Sequence, residues 1–234
     1  MKGIIVLFAS LLTVSALSAP CTTGSSVLSS LSVQDTLKER QILYNGILWT
    51  NKYHKFDGNQ YLFSDIFLPG SLSFNDHIFR NLELRYDILS DEIMTPKNVD
   101  VIVQLNKEMV DSFTLVFENK EYRFRNFSGD SLLGSSGYFN VLYEGKSALY
   151  AKYEKSIATV IKDNSNGYFN QTMDMILVLD GKDYKINRLK DIMNLVPGEN
   201  GQIRNFIREK RLKVSIKHPD SFVPVIRYYD SLKY

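Results

Sequence analysis

Few residues in this chain offer chemistry. Histidine occurs at His54, His77 and His218 only. No two of them have a spacing that lets a helix or strand present both to one metal ion. They read as solvated side chains, and no metal or cofactor is expected. There is no HExxH, no GxSxG, no P-loop and no GxGxxG. Zinc-assisted hydrolysis, the nucleophile elbow and the glycine-rich phosphate cradles therefore have no basis in sequence. Gly134-Ser135-Ser136-Gly137 reads as a loop connector. A Ser-His-Asp triad assembled in space stays open, because triads follow geometry rather than sequence order. Asp87, Asp91 and Glu92, or Asp174 and Asp180, could furnish the carboxylate pair that glycoside hydrolysis requires. The plainer reading of such acids is a solvated surface. The one concentrated feature is basic. Arg204, Arg208, Lys210, Arg211 and Lys213, with Lys217 beyond, crowd one short stretch and suit an anionic partner.

Those cations fall in a helical region. Leu189, Ile192, Met193 and Val196 recur at i, i+3, i+4 and i+7, one face of a short helix that Pro197-Gly198 ends. Ile203, Phe206 and Ile207 mark a second helix carrying the arginines. A third starts near Asp220, with Phe222, Val225, Ile226, Tyr229 and Leu232 as its apolar positions. Pro219 and Pro224 suit its first turn, where a missing N–H is not needed. These stripes need a surface to cover, and the open face or edge of a sheet supplies one.

That sheet is written upstream. Gly137 to Ile157 reads as a hairpin turning at Glu144-Gly145-Lys146, with aromatic residues on both faces of its arms. It is expected at the sheet's centre. Phe113–Phe117 with Glu121–Phe127, and Met173–Leu179 with Tyr184–Ile186, form two more hairpins; Asp180-Gly181 is a strong turn signal. His77–Ile88 and Val99–Leu105 read as strands. Gln41–Thr50 reads as one long or bulged strand in which Trp49 anchors the core. Tyr61–Leu68 reads as a strand ended by Pro69-Gly70. The expected fold is β-rich α+β: an antiparallel sheet over 40–187, as meander, sandwich or partial barrel, followed by two or three helices over 188–234.

The 234 residues suffice for a core without staples, and 44% hydrophobic with 23% charged residues is ordinary for a globular chain. Residues 1–18 read as a secretory signal peptide: Lys2, an apolar run from Ile4 to Val14, then Ala16-Leu17-Ser18 as a small-x-small cleavage site. Residues 19–39 are Ser/Thr-rich and read as a disordered leader. Cys21 is the single cysteine, so no intramolecular disulfide is available, and the preceding Pro20 fits a lipid anchor poorly. No other run has the length of a transmembrane helix. The chain ends on an aromatic residue, as outer-membrane barrels do, but the helical period before it conflicts with a last barrel strand. From Ala19 to Asp180 there are 15 basic and 20 acidic residues; from Gly181 onward there are 12 basic and 6 acidic. Such asymmetry marks either an anionic partner or a basic segment lying on its own acidic body.

The segments GYFNVLYEGK, DGKDYKINRLKDIMNLVP and QIRNFIREKRLK together resemble a group of small exported envelope proteins of Bacteroidota. In that group a β domain is followed by a GKxYxI-like strand and then helices. The similarity covers about Gln41 to Leu232. It implies a periplasmic or outer-membrane-peripheral protein without assigned activity, and extends in texture to the plug of the type 9 secretion translocon. The expected function is non-enzymatic binding of another envelope protein, as an accessory of secretion or transport, with no nucleic-acid partner. A secreted glycan or peptide hydrolase and a small-ligand or lipid carrier are the alternatives.

Overall fold

The computed structural model describes residues 41–127, 134–158 and 167–233. The expected signal peptide, leader and Cys21 lie outside these residues. Within them the chain forms one antiparallel open sheet of eleven strands followed by helices. The strands are β1 (Ile47–Leu48), β2 (Leu68–Phe74), β3 (His77–Asp87), β4 (Glu92–Pro96), β5 (Ile102–Gln104), β6 (Val110–Phe117), β7 (Lys120–Phe127), β8 (Gly137–Glu144), β9 (Ala148–Ala158), β10 (Tyr168–Leu179) and β11 (Lys182–Ile186). The helices are α1 (Leu189–Leu195), α2 (Asn200–Glu209) and α3 (Val223–Leu232). Short 3₁₀ turns at Pro197–Glu199 and Pro219–Phe222 lead into α2 and α3.

The spatial order is β1-β5-β4-β3-β2-β6-β7-β8-β9-β10-β11. Two meanders therefore start from β2, one on each side of it. Three of their links are two-residue turns: Asn75-Asp76, Glu118-Asn119 and Asp180-Gly181. Both residues of each have positive φ, as type I′ hairpins require. The expected hairpins are all present, and the β8–β9 hairpin is buried over part of both faces. It sits eighth and ninth in the row rather than at the centre.

Two strand expectations fail. Residues 41–43 are helical, and only Ile47–Leu48 pair with β5. Trp49 is half-buried outside the apolar clusters, 5.0 Å from the Arg85 guanidinium. Residues 61–67 are irregular, and Pro69-Gly70 lies inside β2 instead of ending the strand before it. Pro69 is tolerated because pairing with β6 begins only at Gly70, so its missing N–H leaves no gap in that ladder. Gly70 is needed because a Cβ there would strike the Thr114 carbonyl oxygen. β4, around Pro96, carried no strand signal in sequence.

The concave face of the sheet holds two cores. Over β2–β7 the sheet curls, and the Lys155 amide of β9 donates to the Ile88 carbonyl just past β3 (2.9 Å). Inside the curl Phe113 and Phe124 stack at 4.6 Å, and Tyr86 and Tyr138 meet Phe113 edge-on. The curled, partly barrel-like half is thus filled by aromatic rings and leucines. Over β8–β11 the same face carries Leu149, Met175 and Leu177, which are covered by Ile192, Ile203, Phe222, Val225 and Ile226 of the helical region. The helices close this half, as their stripes anticipated.

Candidate functional site

α1 and α2 bury their inner stripes and leave a groove between them. Ile192 and Met193 of α1 and Ile203 of α2 are buried. Phe206 of α2 stacks on Tyr228 of α3 with rings 4.1 Å apart and nearly parallel, which fixes the roll of α2. With Ile203 and Phe206 turned inward, Arg204 and Arg208 are left exposed, one turn apart. The groove encloses about 400 Å³. Leu189, Met193 and Ile207 give it an apolar floor, Lys190, Arg204 and Arg208 a cationic rim, and Asn194 and Asn200 its polar remainder.

Among the described residues, none of these three cations forms an ion pair. Arg208 donates to Asn205 Oδ1 on its own helix (2.9 Å). The Asn200 Oδ1 is shielded from solvent and accepts no hydrogen bond among the described residues. The nearby acid Asp191 is already engaged: it accepts from the Asn187 and Arg188 amides and from the Arg188 side chain. Those contacts, led by the Asn187 amide, hold its carboxyl below the usual range. The arrangement can bind a ligand that is apolar on one side and negatively charged along its edges.

The sequence-expected cations separate into two sets. Arg204 and Arg208 line the groove. Lys210, Arg211 and Lys213 are exposed on the chain that leaves α2. There Arg211 takes a left-handed φ of 51°, and Leu212 N–H closes on the Ile207 carbonyl. Lys190 was not anticipated as a rim residue. It follows Leu189 directly, and a helical wheel of α1 alone places it beside the stripe, but not opposite two arginines of the next helix. The three histidines are all exposed and far apart in sequence, and no metal-ligating cluster forms among the described residues.

No family model, curated protein or solved structure matches this chain. Function must be argued from its own geometry.

A second cleft, of about 250 Å³, lies beside β1 and includes Trp49, Tyr53, Asp87 and Glu92. Asp87 and Glu92 face each other across the β3–β4 hairpin. Burial pushes both carboxyls above their usual range, opposed at Asp87 by the Ser90 and Leu89 amides and at Glu92 by Lys107. Asp87 Oδ1 accepts from both of those amides (3.1 and 2.9 Å) and so builds the turn. The other expected acids are dispersed. Asp91 is held by Tyr86 and Lys107, Asp174 by Lys185, and Asp180 by Lys233.

Proposed function

We propose that this chain is a non-enzymatic envelope protein that works by binding a negatively charged partner through the α1–α2 face. The observation that carries the proposal is the groove with an apolar floor and three cations lacking ion-pair partners among the described residues. A basic segment neutralised by its own acidic body would show Lys190, Arg204 and Arg208 in ion pairs. Instead the pairs that link the helical region to the sheet use Lys120 with Asp220 and Lys233 with Asp180. The envelope setting, and a role as an accessory of secretion or transport, come from the signal-like residues 1–18 and from the resemblance stated above. The test is a photo-crosslinking residue placed at Asn194, at the groove, and as control at the exposed Ile78 of β3. In intact cells, an adduct formed from position 194 and not from 78 supports the reading. Uncrosslinked protein alone from both positions sinks it.

The carboxylate cleft supports a second reading, a glycan hydrolase using Asp87 and Glu92. Directly opposed residues of an antiparallel pair keep their Cβ atoms about 5 Å apart, comparable with the carboxyl spacing of retaining glycosidases. Trp49 and Tyr53 offer flat surfaces for a sugar ring. Two features weigh against it. Asp87 is committed to turn amides, and both carboxyls are pushed the same way, whereas an acid and a nucleophile need environments that separate them. Release of reducing ends from purified peptidoglycan that disappears in Glu92→Gln is the result that would favour it. A lipid carrier needs an apolar cavity in the β domain; the curl is occupied by Tyr86, Phe113, Phe124 and Tyr138.

A further inference from the structure

We infer that the α1–α2 groove receives an amphipathic helix of the partner, with its apolar stripe on Leu189, Met193 and Ile207 and its carboxylates on Arg204, Arg208 and Lys190. This inference rests on the binding function proposed above and specifies its ligand. Charge complementarity selects the occupant. The rim presents three cations that lack ion pairs among the described residues. A fatty acid brings one carboxylate and leaves two of them unmatched. An acidic helix brings several, at i, i+3 and i+4 spacing, which is also the spacing of Arg204 and Arg208 on α2.

The floor argues the same way. It is a strip contributed by two helices, and helix-in-groove recognition uses such a strip to seat residues at i, i+3, i+4 and i+7. Acids in the first turn of such a helix suit the helix's own dipole as well as the cationic rim.

The experiment uses the full chain and a fluorescein-labelled peptide of about 14 residues, some four helical turns. Leu occupies its i, i+3, i+4 and i+7 positions, with Glu in the first turn and along both flanks. Anisotropy at about 50 mM and 300 mM salt reads the affinity. The expected result is saturable binding that weakens with salt. Arg204→Glu with Arg208→Glu should weaken it about tenfold or more, in keeping with reversed charges at an interface. Lys210→Glu with Lys213→Glu should stay within about twofold, since these residues lie outside the groove. Moving the Glu residues from the first turn to the last should weaken binding about threefold or more, within the range of helix-dipole effects.

Four outcomes overturn the inference. The two double variants could lose binding equally, which marks diffuse attraction. A Gln-for-Glu peptide could bind as well as its parent. Phosphatidylglycerol vesicles could bind in an Arg204- and Arg208-dependent way while the peptide does not, which marks a lipid surface. A crosslink from position 194 without peptide binding leaves the envelope-partner function standing and removes the helix. Peptide binding without any crosslink in cells does the reverse.

Discussion

Among single residues Asp230 ties distant parts of the chain together. It is 6% exposed, on α3, yet it accepts hydrogen bonds from the Ser147 amide (2.9 Å), the Ser147 hydroxyl (2.6 Å) and the Tyr143 hydroxyl (3.1 Å). One carboxylate thus ties the last helix to the β8–β9 turn. Removing it strands buried donors, which costs about 1–3 kcal/mol per group. Asp230→Ala is expected to lower stability by about 3 kcal/mol and Tyr143→Phe by about 1 kcal/mol, read from urea midpoints at constant m. Equal effects from the two changes would show that the tie is not centred on the carboxylate. Glu92 behaves oppositely. Its folded carboxyl is raised by burial, so its ionised form opposes folding. The favourable difference is present below the unfolded value near pH 4 and is lost as pH rises through the folded one. Glu92→Gln should therefore raise the urea midpoint at pH 7 and leave it nearly unchanged at pH 3.5. Neither role could be read in the sequence. Asp230 follows two tyrosines in a polar slot of its helix, and its partners lie 83 and 87 residues away. Arg204 and Arg208 were legible because side chains one turn apart on a helix share a face whatever the fold.

Elements were legible where local chemistry decides them and obscure where distant pairing does. Asp180-Gly181 names its own turn, and the stripes of α1 and α3 name their buried faces. β4 exists because neighbouring strands pair with it, and nothing in its composition announces it; of the strand expected over Gln41–Thr50 only β1 forms, where β5 pairs with it. Pro69-Gly70 misled because a proline is a stop signal only where its N–H would have been used. The Glu118-Asn119 turn makes the element-level prediction. Glu118 holds φ 49° and Asn119 φ 59°, left-handed values that favour Asn and Gly. A glutamate there carries backbone strain of about 1 kcal/mol. Glu118→Asn with Asn119→Gly should raise stability by about 1–2 kcal/mol, offset in part by the entropy that glycine adds to the unfolded chain. Thermal unfolding checks it: a fall in Tm would mean that β6 and β7 are held by packing that the new turn disturbs.

At the scale of the whole molecule the buried tyrosines impose one titration behaviour. The curl and its neighbouring strands bury tyrosines among their leucines and phenylalanines. Burial pushes the hydroxyls of Tyr61, Tyr150 and Tyr153 up to about 12, and it raises Tyr86 and Tyr138 well above the usual range, with Asp91 adding to the effect at both. The unfolded chain ionises its tyrosines near 10. Each raised group therefore contributes stability that is intact below pH 10 and is lost as pH climbs toward the folded value. Stability should stay level in this respect up to about pH 9.5 and then fall steeply, as the unfolded state releases protons that the folded state keeps. Absorbance at 295 nm should rise in two waves, the second, from these buried tyrosines, only with loss of near-ultraviolet circular dichroism. A single wave near 10 with the dichroism intact would mean that the curl admits water and hydroxide. That result would also reopen the β domain as a ligand cavity, because rings that ionise freely do not fill a dry interior. A two-wave titration instead shows that the ring-filled interior stays dry until the fold opens.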